Sequence, residues 1–116
     1  MAFTNATKET GATAVTALGN WISLHTSDPG TTGTGEATGG SPAYARKQTT
    51  WTAGSADGVV NGSAVSFDVP AGSYTHVGVW SAATSGTFIG GFALSSSTGA
   101  LPGQSSVSVT PSITVS

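Results

Sequence analysis

Cysteine is absent from the 116 residues. That excludes disulfides, and with them zinc or iron–sulfur sites held by thiolates. Charge is almost as scarce. Lys8, Arg46 and Lys47 stand against Glu9, Asp28, Glu36, Asp57 and Asp68, whereas an average domain is about a quarter charged. Three cations cannot neutralise many phosphates, so no nucleic-acid partner is expected. A net charge of −2 also gives little electrostatic steering. No stretch approaches the ~20 apolar residues of a membrane span. Met1 to Asn5 lacks the basic start and apolar run of a secretion signal. The expectation is a soluble protein, made in a cytoplasm, with no membrane partner.

Hydroxyl groups and glycine fill the space that charge leaves. There are 17 serines, 19 threonines and 17 glycines, a composition shared with flexible linkers. Disorder, however, goes with low hydrophobicity and high net charge, and neither holds here. Three Trp, four Phe, two Tyr and many Val are enough for a packed core. The length suits one domain, because two would each be too small to hold together without staples.

Periodicity predicts mainly β structure. Residues 5–19 read as a short helix or an extended arm, with Asn5 as N-cap and Gly19-Asn20 as the stop. Gly11, Ala12, Val15 and Leu18 make a partial helical stripe, which four internal threonines weaken. The remainder, 21–116, reads as a single β domain. WISLHT (21–26) alternates, with Trp21, Ser23 and His25 on one face and Ile22 and Leu24 on the other. After the Asp28-Pro29-Gly30 turn comes a long loop, 31–41, and then a strand over 43–52. AVSFDV (64–69) puts Val65, Phe67 and Val69 on one side. YTHVGVW (74–80) sets Tyr74, His76 and Trp80 opposite Thr75, Val77 and Val79. TFIGGFAL (87–94) follows the Ser85-Gly86 turn, and SVSVTPSITV (106–115) is interrupted by Pro111. Short strands with turns every 8–12 residues predict an antiparallel β-sandwich or barrel.

Catalytic patterns are missing. No serine sits in a Gly-x-Ser-x-Gly elbow, and the carboxylates are scattered rather than paired. His76 with Asp68 is the best enzymatic pairing the chain offers, and no motif supports it. His25 and His76 sit inside strand patterns, where a hydrogen-bonded structural role is expected. No Asp-rich calcium loop and no phosphate-binding glycine fingerprint is present. The expectation is no enzyme, no cofactor and no metal. Glu36 is the one acid in a Gly/Thr-rich loop, and an ion pair to Arg46 or Lys47 would pin that loop to the sheet. Asp28, Glu36, Tyr44, Arg46 and Trp51 are therefore candidates for loop pinning or an interface. Trp21, Tyr74 and Trp80, with Trp51, are candidates for stacking on a glycan.

Three stretches carry a resemblance: LHTSDPGTTGTGEATGGSPAYARKQTTW (24–51), FDVPAG (67–72) and THVGVW (75–80). Together they resemble a family of small virion proteins of tailed bacteriophages, variously described as minor tail, tail-fibre-like or capsid decoration proteins. The resemblance spans about Trp21 to Leu94. It implies a non-enzymatic structural component displayed on the particle exterior and stabilising it through repeated contacts. Its partners would be other virion proteins and further copies of itself, in an oligomer for which a trimer is expected. The alternative it leaves open is a host-glycan-binding module of a phage tail. Low charge fits such a role, since it reduces repulsion between neighbours at high local concentration.

Overall fold

The computed structural model describes residues 1–115. Helix α1 spans Asn5–Thr16. The strands are β1 (Trp21–His25), β2 (Lys47–Gln48), β3 (Trp51–Ala53), β4 (Val59–Gly62), β5 (Val65–Val69), β6 (His76–Trp80), β7 (Phe88–Ala93), β8 (Ser105–Val109) and β9 (Ser112–Thr114). All pairings are antiparallel. They form a four-stranded sheet in the order β2-β1-β6-β7, a three-stranded sheet β3-β4-β9 and a β5-β8 ribbon. Of the two expected architectures the open one holds, because the sheets do not close into a barrel.

Strand alternation builds the core. Ile22, Leu24, Val77 and Val79 point from the β1–β6 pair toward Val65, Phe67, Val69 and Val109 of the β5-β8 ribbon. Phe67 is fully buried and stacks on Tyr44, with ring centroids 5.9 Å apart. Burying a side chain of this size contributes on the order of 2–3 kcal/mol. Pro111 is also buried and separates β8 from β9, because proline cannot supply a ladder N–H. The two halves of the predicted last strand thereby join different sheets.

Three local expectations change. The helix N-cap is Thr4, not Asn5: Thr4 is extended, and its hydroxyl accepts from the Thr7 amide at 3.2 Å. The predicted strand 43–52 is divided, with Tyr44 and Arg46 still in the loop and only Lys47–Gln48 and Trp51–Ala53 paired. Side-chain anchoring of Tyr44 and Arg46 outcompetes strand pairing there. Tyr74 does not share an open face with His76 and Trp80. It precedes β6, lies in the core, and donates its hydroxyl to the Pro70 carbonyl at 2.9 Å.

Helix α1 lies on the β3-β4-β9 sheet. Ala12 is fully buried, and the Glu9 carboxylate accepts from the Gly58 amide at 3.1 Å. Trp51 is half-buried, and its indole N–H donates to the Gly19 carbonyl at 3.0 Å, tying β3 to the α1–β1 connection.

Candidate functional site

The four-stranded sheet is covered on both faces, and the long loop between β1 and β2 makes the second cover. β2 pairs with β1 only at Trp21 and Ile22. Beyond that point the loop takes over the edge of β1. The Ala37 amide donates to the Leu24 carbonyl at 2.9 Å, and the Leu24 amide donates to the Tyr44 hydroxyl at 3.1 Å. The loop then crosses the face that carries Trp80, Gly78 and His25, and Pro29 and Gly33 come down upon it. Gly33 has φ +79, and a Cβ there would lie 2.5 Å from the Trp80 ring. Only glycine permits both that backbone and that approach.

Arg46 holds the cover in place. Its Nε donates to Glu36 Oε2 at 2.9 Å and its Nη2 to Oε1 at 3.0 Å, a two-pronged pair. Its Nη1 donates to the carbonyls of Ala82 and Ser85 at 3.0 and 2.8 Å, in the turn between β6 and β7. The guanidinium lies 3.6 Å above the Trp80 ring. One side chain therefore joins the long loop, the β6–β7 turn and the sheet. The Tyr44 hydroxyl completes the cluster by donating to Glu36 Oε2 at 2.8 Å. Burial pushes the Tyr44 phenol far above its ordinary range, and the neighbouring Glu36 carboxylate pushes the same way. The Ser85 carbonyl belongs to a residue with φ +54, followed by Gly86 at φ +75. Serine tolerates this backbone less well than glycine, and Arg46 braces it through the Ser85 carbonyl.

Beneath the loop lies a hydrogen-bonded chain of side chains. The Trp80 indole N–H donates to Ser23 Oγ at 2.9 Å. Ser23 Oγ is 2.6 Å from His25 Nε2, and His25 Nδ1 is 2.8 Å from the Thr34 carbonyl. A carbonyl can only accept, so Nδ1 carries the proton and Nε2 accepts from the Ser23 hydroxyl. Desolvation lowers the His25 pKa. The Thr34 bond and the Glu36 charge oppose that shift, while Arg46 and His76 add to it. A serine hydrogen-bonded to a neutral histidine is the arrangement of an activated nucleophile. Here it is closed off: Ser23 and His25 are both 0 % exposed, and the Trp80 N–H occupies the serine oxygen. The chain locks the loop to the sheet and has no room for a substrate.

The candidate residues separate clearly. Glu36, Tyr44, Arg46 and Trp80 converge, and of the two cations considered for Glu36 the partner is Arg46. Asp28 stands apart, accepting from the Gly30 amide at 2.8 Å within its own turn. Trp51 lies on the other sheet. Trp21 is opposite Trp80 in register and half-buried, but Trp80 is covered by Arg46 and Tyr74 lies in the core. The three rings do not share an open face. His76 and Asp68 lie on different sheets, and His76 Nδ1 is 2.8 Å from the Thr75 hydroxyl. Among the described residues no three His, Asp or Glu side chains gather as a metal site would require, and no helix is long and apolar enough to cross a membrane. The Trp80–Ser23–His25–Thr34 chain was not legible beforehand. The only sign of it is the S-x-H alternation in β1, which places Ser23 and His25 on one face without saying that Trp80 and a loop will meet them there.

A family model described as podophage GP4 fiber I protein gp80 matches residues 3–116. The chain belongs to this family. Membership places it among the structural components of phage virions. No curated protein and no solved structure shows significant similarity to it. The architecture above is thus that of a fibre-family chain in which His25, Glu36, Tyr44 and Arg46 fasten its own long loop.

Proposed function

We propose that the chain is a non-enzymatic subunit of a phage fibre, displayed on the outside of the particle. It works by repeated contacts with further copies and with neighbouring virion proteins. One observation carries the reading: few charged side chains are well exposed. Of the eight charged residues only Asp28 and Asp57 are well exposed, and each is engaged by a backbone amide of its own turn, Gly30 and Val59 respectively. Arg46 and Glu36 saturate each other. What faces outward is Ser, Thr, Gly and Ala, a surface that packs against copies of itself without charge repulsion and supplies hydroxyls for hydrogen bonds. A subunit that binds only the assembled particle stabilises it by mass action, RT ln(1 + [L]/Kd) per site. A repeated contact between unlike patches generates a closed ring, of which a trimer is one case, or an open filament.

A host-glycan role through Trp21, Tyr74 and Trp80 gains no support from the geometry, because two of the three rings are buried. The test is mass spectrometry of purified virions of the source phage, with antibody labelling of intact particles. Stoichiometric chain on the particle surface is the expected result. Virions that lack the chain would refute the proposal.

A further inference from the structure

β7 presents a long, uncharged strand edge. It is the outer strand of the four-stranded sheet and bonds only to β6. The Leu94 amide donates to the Thr75 carbonyl at 2.9 Å, so by alternation Gly90 and Phe92 face β6. The N–H and C=O groups of Gly91 and Ala93 face outward. They have no hydrogen-bond partner among the described residues.

Folded monomers protect such edges with charge, proline or shortness. The opposite edge of the same sheet follows that rule, since β2 is two residues long and contains Lys47. β7 does not. It runs six residues, and no Asp, Glu, Lys or Arg occurs anywhere after Asp68. Alongside it runs a groove. One section, of about 520 Å³, is flanked by Phe92 and Leu94 on one side and Val107 and Val109 on the other. The next, of about 350 Å³, shares Phe92 and ends at Ile113 and Val15. β7 and β8 do not pair across it. A strand placed there would bond to β7 and bury apolar side chains at once, which is the logic of strand addition.

The chain also presents an exposed apolar segment. Met1–Thr4 precedes α1, Thr4 is extended, and Met1 and Phe3 are 109 % and 45 % exposed. Alternation puts both apolar side chains on one face of an extended segment. This arm cannot reach the groove of its own subunit. Val15 marks the near end of the groove, and eleven helical residues separate it from Thr4, a rise of roughly 16 Å. Gly11 lies beside Val115, and Val15 beside the Ser112–Thr114 segment. The groove therefore continues away from the arm, toward Val107. Four extended residues span at most about 14 Å.

We propose that the N-terminal arm of one copy adds as a strand to the β7 edge of a second copy. Because arm and groove are different patches, the contact is head-to-tail: it either closes a ring or extends along a fibre. The inference rests on the reading of the chain as a self-assembling fibre subunit and names the junction.

The experiment uses the full chain and sedimentation equilibrium over a wide concentration range. Wild type should self-associate. Phe3→Asp, which spoils the arm, and Ala93→Pro, which removes an outward N–H without touching the β6–β7 ladder, should each be monomeric with wild-type circular dichroism. Ala93→Lys is the substitute if the proline variant does not fold. Mixing Phe3→Asp with Ala93→Pro should restore association, because one supplies a sound groove and the other a sound arm, and should stop at two copies. A wild type that stays monomeric, variants that associate like wild type, or a mixture that does not pair would each overturn the arm exchange. Virions that contain the chain alongside any of those results would leave the fibre-subunit reading intact. Virions without it would sink that reading alone.

Discussion

Replacing Arg46 by alanine should unfasten the long loop. The guanidinium makes four hydrogen bonds, two to Glu36 and two to carbonyls of the β6–β7 turn, and lies on the Trp80 ring. Breaking a buried ion pair from one side costs about 3–5 kcal/mol, because the other charge is stranded. The Arg46 side chain is 9 % exposed but that of Glu36 is 21 % exposed. Water can reach the orphaned carboxylate, which retains the Tyr44 hydroxyl as a donor. The lower end of the range applies, about 3 kcal/mol. A chain of this length has a total stability of roughly 6–17 kcal/mol, so the loss is a substantial fraction and should lower Tm by about 10 °C or more. Urea unfolding gives the free energy directly, and amide hydrogen exchange shows where it is lost. Exchange should accelerate at Ala37, whose amide bonds to Leu24, before it does in β5 or β6. Arg46→Lys keeps the charge but not the planar fork and should recover about half the loss. If Arg46→Ala costs less than about 1 kcal/mol, or leaves exchange at Ala37 unchanged, the pair behaves like an ordinary surface pair and the loop is held by something else.

Gly78→Ala should cost about 2–3 kcal/mol in urea unfolding, because the new methyl would sit 2.7 Å from His25 Nε2 and against Ser23 Oγ; a neutral result would mean the buried chain has slack. Phe67→Ala, at the centre of the core, should cost about 3–5 kcal/mol, and less than about 2 would contradict the packing described. Stability should also fall on acidification. Burial lowers the His25 pKa below its unfolded value of 6.5, so the unfolded chain binds the extra proton first. Stability is complete above that value and declines as pH drops through it, with a slope from this group of at most about 1.4 kcal/mol per pH unit. A melting series from pH 8 to pH 5 that is flat, or that rises toward acid, would refute the assigned neutral tautomer.

Where each residue falls relative to the sheet explains what could be read in advance. Val65, Phe67 and Val69 alternate strictly with polar residues, Val77 and Val79 keep the same period of two, and each lands in the core. Period two is a local property, and one buried face is enough to impose it. Trp21, Ser23 and His25 were placed on one face for the same reason. That this face is also buried depends on a loop of more than twenty residues folding back over it, which no local pattern records. The misplacement of Tyr44 and Arg46 in a strand has the same origin. The run 43–52 reads as a strand, whereas the positions of Tyr44 and Arg46 are set by partners elsewhere in the chain, Glu36 in one direction and Ala82 and Ser85 in the other.

The distribution of polar chemistry follows from this architecture. Ser23, His25, Arg46 and Glu36 are the groups from which an active site would ordinarily be assembled, and each is engaged by hydrogen bonds within the fold. Buried polar groups that are fully paired rigidify a structure and specify one arrangement of it. The uncovered parts are of another kind: an uncharged strand edge, an apolar groove and an apolar arm that cannot fill that groove in its own subunit. A fold that engages these polar groups internally while leaving main-chain and apolar groups open has the form that the proposed strand addition would complete. The fibre assembly proposed for the chain provides a neighbour for it at every repeat.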